Sequence, residues 1–390
     1  MPPLYLFEPD APGAAWMPFT GVRPLSELRA GVWRIRERWE GVLGHSAVGI
    51  IGDHVAGFHE MDEPPVQPRG PIAGPALICR SDFAPSGVVP DLPDGTRRLV
   101  HDGVSVGWIV PEGITWSAPT DDGPGAELAG LLLHGAADLI SALEHFLPGD
   151  VAEITDEHHA DYPEGSTILG EVSDVALLGA LVEPGVTFDT RHGAIVVEEG
   201  AEIRGGTRLE GPCYVGPHAR VLGGFIRQSV IGPWCVVRGE ISTSLFLGFA
   251  NKAHDGFVGH SVLGHWVNLG AGTTTSNLKN TYGDVRLDLP GGRVETGRQY
   301  LGTLFGDHAK TAIGTMLPTG TIVGAGANLF GTGRPPKFVA PMSWGELGET
   351  QVSKEGFLAI AERVMPRRHV EVTPERRAAL ERLWERVAGR

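Results

Sequence analysis

Residues 195–221 read IVVEEGAEIRGGTRLEGPCYVGPHARV, and apolar side chains return at every sixth position through Val197, Ile203, Leu209, Val215 and Val221. A second apolar phase runs through Phe225, Ile231 and Val237, and a third through Leu263 and Leu269, each followed by a glycine. Similar aliphatic and glycine pairs recur at Leu301-Gly302, Ile313-Gly314 and Val323-Gly324. A six-residue repeat of this kind marks a parallel β-helix. Each short strand turns one apolar residue inward, while glycine, asparagine and small residues take the corners, where φ is often positive. Three hexapeptides make one triangular coil, so residues about 18 apart stack. A β-sandwich would instead alternate with period two over longer strands.

The β-helix is expected over 181–345, preceded by an α/β domain over 1–150 and a linker over 151–180, and followed by C-terminal helices over 346–390. In the first domain a strand at Leu4 to Phe7 leads to GVRPLSELRAGVWRIRERWEGVLG, where Leu25, Leu28, Val32, Ile35 and Trp39 fall at helical spacing. Further strands are expected at Ser46 to Ile51, Ala76 to Cys79 and Val104 to Val110, and a helix from Glu127 to Leu147. The linker carries Asp156, His158, His159 and Asp161; adjacent histidines on an irregular segment rarely converge on one ion, so a solvated linker is expected. Thr373 as N-cap with Pro374 after it predicts a terminal helix, one of a pair that would cover the open end of the last coil.

Composition bounds the function. The chain has 390 residues, 42% of them hydrophobic and 20% charged, with a net charge of −15, which fits a globular protein and argues against a nucleic-acid partner. Cys79, Cys213 and Cys235 are too few for a disulfide framework, and no apolar run reaches the length of a membrane span; a cytoplasmic setting is expected. Lysine occurs at 252, 279, 310, 337 and 354 and nowhere else. Four of the five thus fall between 252 and 337, either by chance or because compact cations are wanted near anionic ligands.

The polar anomaly inside the repeat is NKAHDGFVGHSVLGHWVNLGAGTTTSNLKN, residues 251–280. His254 falls in an insertion, where a coil has no packing need for imidazole, and imidazole titrates near neutrality as a general base does. Its bland counterpart is a surface histidine bonded to backbone. His260 and His265 lie on successive faces, so no shared metal direction follows. Asn268 fits a coil corner and a ligand contact equally, and with Asn277, Lys252 and Lys279 it is a candidate substrate ligand.

This segment resembles the left-handed β-helix acetyltransferases, above all the acetyltransferase half of the bifunctional N-acetylglucosamine-1-phosphate uridyltransferases. The resemblance rests on His254, Phe257, the run Asn268-Leu269-Gly270-Ala271-Gly272-Thr273, and Asn277. It implies His254 as catalytic base, acetyl-CoA as co-substrate lined by Ala271, Thr315 and Ala325, a sugar phosphate or nucleotide sugar as acceptor, and a homotrimer. Phe257 stands where that family keeps a tyrosine, which removes a hydroxyl from the acceptor site.

The first half resembles a divergent branch of the sugar nucleotidyltransferases through Pro18-Phe19-Thr20, Arg23-Pro24, Glu27-Leu28-Arg29, Gly31 and Glu37-Arg38-Trp39. The glycine-rich loop that cradles a triphosphate is missing, as is its lysine. Nucleotide contacts would then fall to Arg23 and Arg29, and Mg²⁺ to Asp82. The expected activity is acyl transfer to a sugar in the β-helix, joined to a nucleotidyltransferase-like domain. The alternative is a nucleotide-sugar binding or regulatory protein whose N-terminal chemistry is lost.

Overall fold

The computed structural model describes residues 2–10, 12–88, 92–158 and 163–388. A seven-stranded sheet opens the chain, built from β1 (Leu4–Phe7), β2 (Ala47–Ile51), β3 (Val66–Gln67), β4 (Ala76–Arg80), β5 (Arg98–His101), β6 (Val104–Val110) and β7 (Gly125–Glu127). Its order is β7-β5-β6-β4-β1-β2-β3, with β1 parallel to both of its neighbours. Leu4 and Leu6 of this central strand are fully buried, as expected for a parallel strand covered on both sides.

Between β1 and β2 the continuous helix expected over 21–44 does not form. A 3₁₀ turn (Leu25–Glu27) and a tight hairpin (Arg29–Ala30 with Trp33–Arg34) come first, and only α1 (Ile35–Leu43) is helical. Gly31 sits at φ +76, outside the helical region, and Asp150 accepts a hydrogen bond from Val32 N at 2.8 Å. All five apolar residues of the stripe are nonetheless fully buried. The spacing found the core face and misread the backbone.

The next helix, α2 (Asp138–Glu157), starts later and ends later than expected, because Glu127 ends β7 and Gly130–Leu132 pairs with Phe83–Pro85. The segment read as a linker therefore holds the last turns of α2, and the coils begin already at Thr167–Leu169. His158 bonds the Ile154 carbonyl through Nδ1 at 2.9 Å; His159 and Asp161 lie outside the described residues.

From Thr167 the chain winds as a parallel β-helix with three faces. On the first, nine strands stack from Val175–Leu177 to Phe338–Val339. Its inward ladder runs Val197, Val215, Ile231, Phe246, Leu263, Phe305, Val323, Val339 in register. All are buried in one core. The second face stacks Ile203, Val221 and Val237 inward, and the third Leu209, Ile226, Ile241 and Val258.

Two repeat assignments shift. Phe225 is half-buried and faces outward while Ile226 is inward, because Gly223 and Gly224, both at positive φ, bend the strand and displace the register by one. Ile313 lies in a turn and is 76% exposed.

The outward residues of the first face are buried as well. Val196, Tyr214, Val230, Leu245, Val262 and Leu304 share a continuous core with Leu4, Leu6, Leu143 and Leu147. The α/β domain and the β-helix are thus fused through α2. The C-terminal helices α3 (Lys354–Val364) and α4 (Pro374–Val387) form with Ser353 and Thr373 as N-caps. They pack along the corner that carries Phe249, Trp266 and Met342, so they cover a side of the β-helix as well as its last coil. The final strand edge itself is met by Thr350–Gln351, antiparallel to Ser343–Gly345.

Candidate functional site

His254 lies on the corner between the second and third faces, joining Asn251–Lys252 to Phe257–Gly259, and its side chain is exposed. What holds this corner is Lys252. In register with Val237 on the inward ladder, it is 2% exposed, a lysine where the neighbouring coil has valine. Its Nζ donates to the Arg238 carbonyl at 2.9 Å and, in a short contact, to the His254 carbonyl. Burial pushes this ammonium down to about 8. Lys252, expected to bind substrate, instead bonds the backbone of the residue expected to catalyse. A buried cation needs such partners, and the two corner carbonyls supply them.

Along the same corner the next coil contributes Ala271 and the one after it Thr315. Gly272 N donates to Asp255 O at 2.9 Å, Gly314 N to Ala271 O at 2.7 Å, and Thr274 N to Thr315 O at 3.0 Å. Ala325 is elsewhere. It is fully buried under the C-terminal helices, where its carbonyl accepts from Met342 N, so it does not line the His254 corner.

At the far end of the Phe257–Gly259 strand a second group gathers. Asn277 Nδ2 lies 2.9 Å from His260 Nδ1, and the His260 ring stacks on Tyr300 at 5.1 Å and 24°. Burial lowers the His260 pKa to about 4, so the ring is neutral at pH 7. Phe257 lies beside this pair: a Cβ on Gly259 would meet Phe257 Cζ at 2.4 Å and Asn277 Nδ2 at 2.7 Å. His254 and Asn277 therefore occupy opposite ends of one face. Asn268 belongs to a third group on the second face, where Asn251 Nδ2 donates to its Oδ1 at 2.9 Å and Arg368 Nη2 donates to Asn251 Oδ1 at 3.2 Å. Lys279 bonds the Asp284 carbonyl and steadies its own loop.

In the first domain the expected nucleotide ligands separate. Arg23 is fully buried and held by Asp307 at 2.8 Å and Glu60 at 2.8 Å, which leaves it no role as an open phosphate contact. Arg29 Nε donates to Leu247 O at 3.3 Å. Asp82 sits at the C-terminal edge of β4, the side on which open α/β sheets take ligands, near Glu8 after β1. Arg80 occupies both Asp82 oxygens, at 2.8 and 2.7 Å. The residues present do not fit Mg²⁺ at Asp82, since a cation would first have to displace that guanidinium. Glu8 is fully buried, accepts from Leu25 N at 3.0 Å, and lies 3.3 Å from His54 Nε2. Burial pushes it up to about 7. Sequence reasoning missed Glu8, Glu60 and Asp307, since a lone carboxylate in a loop carries no spacing signal.

Among the described residues no helix is long and apolar enough to cross a membrane. Residues 4–109 match a family model described as sugar nucleotidyl transferase. The chain is 31% identical over 150 residues to a bifunctional sugar-1-phosphate nucleotidylyltransferase/acetyltransferase of Sulfurisphaera tokodaii, covering 35% of each chain. It is 33% identical over 86 residues to the bifunctional protein GlmU of Methanocaldococcus jannaschii (22% of this chain, 21% of that one). It is 34% identical over 86 residues to the GlmU of Methanococcus vannielii (22% and 20%). It thus spans about a third or less of the length of these relatives. The molecule joins an N-terminal domain of the sugar nucleotidyl transferase type to a long parallel β-helix.

Proposed function

We propose that the β-helix transfers an acyl group from acetyl-CoA to an amino or hydroxyl group of a sugar phosphate or nucleotide sugar, with His254 as general base. The observation that carries this reading is the His254 corner: an exposed imidazole on a backbone pinned by Lys252, with Ala271 and Thr315 following it coil by coil. The imidazole takes the acceptor's proton as its nitrogen or oxygen bonds the acyl carbon. The carbon–sulfur bond then breaks and the thiol leaves with a proton. Asn277 and Phe257, beside the neutral His260, are the acceptor contacts in this reading, and Asn268 serves a separate group.

Because His254 and Asn277 lie at opposite ends of one face, the site is completed by a neighbouring subunit in a homotrimer. Ile313 and Met316, 76% and 58% exposed beside the His254 corner, support such packing. The resulting enzyme works in the cytoplasm, in the making of UDP-N-acetylglucosamine or a related nucleotide sugar. Thiol release from acetyl-CoA in the presence of glucosamine-1-phosphate tests the assignment, and unchanged turnover in His254→Ala would sink it.

For the first domain, Asp82 forked by Arg80 and the missing glycine loop favour binding of a nucleotide or nucleotide sugar without nucleotidyl transfer. Pyrophosphate release from UTP and a sugar phosphate would overturn that part alone.

A further inference from the structure

A cavity of about 310 Å³ lies where the first domain, the β-helix and the C-terminal helices meet. Its walls differ in chemistry. Phe249 and Trp266, stacked at 4.3 Å and 14°, with Leu380 and Leu383 of α4, make one side apolar and aromatic. On the other side Arg23 is fixed between Asp307 and Glu60, and His265 Nδ1 lies 3.0 Å from Glu60 Oε1. Five arginines and four carboxylates line the whole, on a chain whose net charge is −15.

Two of those arginines spend their hydrogen bonds on backbone carbonyls. Arg29 donates to the carbonyls of Leu247 and Val32, and Arg376 to those of Glu371 and Glu60. Carbonyls satisfy the N–H groups without neutralising the cation. Glu37 is shared: it bonds Arg34 at 2.7 Å and is also held in its charged form by Arg29 through space. A half-open cleft with an aromatic wall and one more arginine than carboxylates in its lining suits a planar ring that carries an anion. Its volume falls at the small end of ligand pockets, which run from about 300 Å³, so it fits a mononucleotide or an aromatic acid and no polymer.

We propose that this junction cavity is a binding site for a small aromatic anion, apart from the His254 corner. The ring lies against Phe249 and Trp266, and the anion against Arg29 and Arg376. Residues from all three parts of the chain form the walls, so an occupant ties them together and raises the melting temperature with its concentration.

Calorimetric titration of the full chain with UMP, with 4-hydroxybenzoate and with inorganic phosphate tests this. Saturable binding of UMP or of the aromatic carboxylate, with phosphate much weaker, is expected; which of the two binds tighter identifies the source of the anion. Arg376→Ala should weaken that binding about tenfold or more, and Leu380→Trp, which fills the cavity, should abolish it. Melting curves of both variants confirm that they fold, and binding should persist in His254→Ala, so the outcome is independent of acyl transfer. No saturable binding below about 1 mM, equal binding of phosphate, or affinities unchanged in both variants would each overturn the proposal.

Discussion

Arg23 Nη2 lies 2.8 Å from Asp307 Oδ2, a buried ion pair between residues 284 apart in sequence. It fastens the segment after β1 to the β-helix. Asp307 also accepts from His265 N at 3.0 Å, so one carboxylate serves both the coil and the first domain.

Removing one partner strands the other. Asp307→Ala leaves a fully buried guanidinium with Glu60 as its remaining ion pair, and unfolding in denaturant should show a loss of about 3–5 kcal/mol. The double variant Arg23→Met with Asp307→Leu should recover part of it, because an apolar pair of similar volume carries no desolvation penalty while Glu60 keeps only His265 and His265 N loses its acceptor. Equal losses in single and double variants would contradict this account.

Lys252 should behave as a positioning residue. Methionine fits its inward place, so Lys252→Met is expected to fold, while the carbonyls of Arg238 and His254 lose their donor. Under the proposed acyl transfer, kcat should fall about tenfold or more with the acceptor KM nearly unchanged. A large rise in KM at constant kcat would assign Lys252 to substrate binding instead.

Glu8 makes stability depend on pH. Its folded pKa of about 7 lies above the usual 4.5 because burial disfavours the charged form. The folded state therefore holds this proton where the unfolded chain has released it. The contribution is fully present below 4.5 and is lost as pH rises through about 7. Glu8→Gln, which keeps an acceptor for Leu25 N, should remove on the order of 3 kcal/mol of this pH dependence between pH 4.5 and 7. Denaturant unfolding at pH 5 and pH 8 measures it, and an identical pH slope in the variant would falsify the assignment.

Gly31 should tolerate no side chain. At φ +76 a Cβ would also stand 2.4 Å from Asp150 Oδ2 and 2.7 Å from Arg38 Nη2. Gly31→Ala is expected to cost about 3 kcal/mol in thermal or chemical unfolding, through strain and a disturbed ion pair. A change under about 0.5 kcal/mol would show that the hairpin relaxes.

The β-helix is written in the periodicity of the chain. Val197, Ile203, Leu209, Val215 and Val221 repeat every six residues because each coil must fill the same interior, and that demand is local and periodic. The helix start at Thr373-Pro374 was legible for a similar reason, since a cap needs only its own few residues. Where backbone conformation overrode spacing, as at Gly31 or at the Gly223-Gly224 bend, the pattern marked buried residues without giving their secondary structure. Which polar residues meet emerges from the folded chain. It turned Lys252 inward, paired Asn277 with His260, set Asn268 in another group, and joined Arg23 to Asp307. Such pairings depend on which coil and which domain come to lie side by side. No periodicity records that, because a charge finds its partner through space and not along the chain.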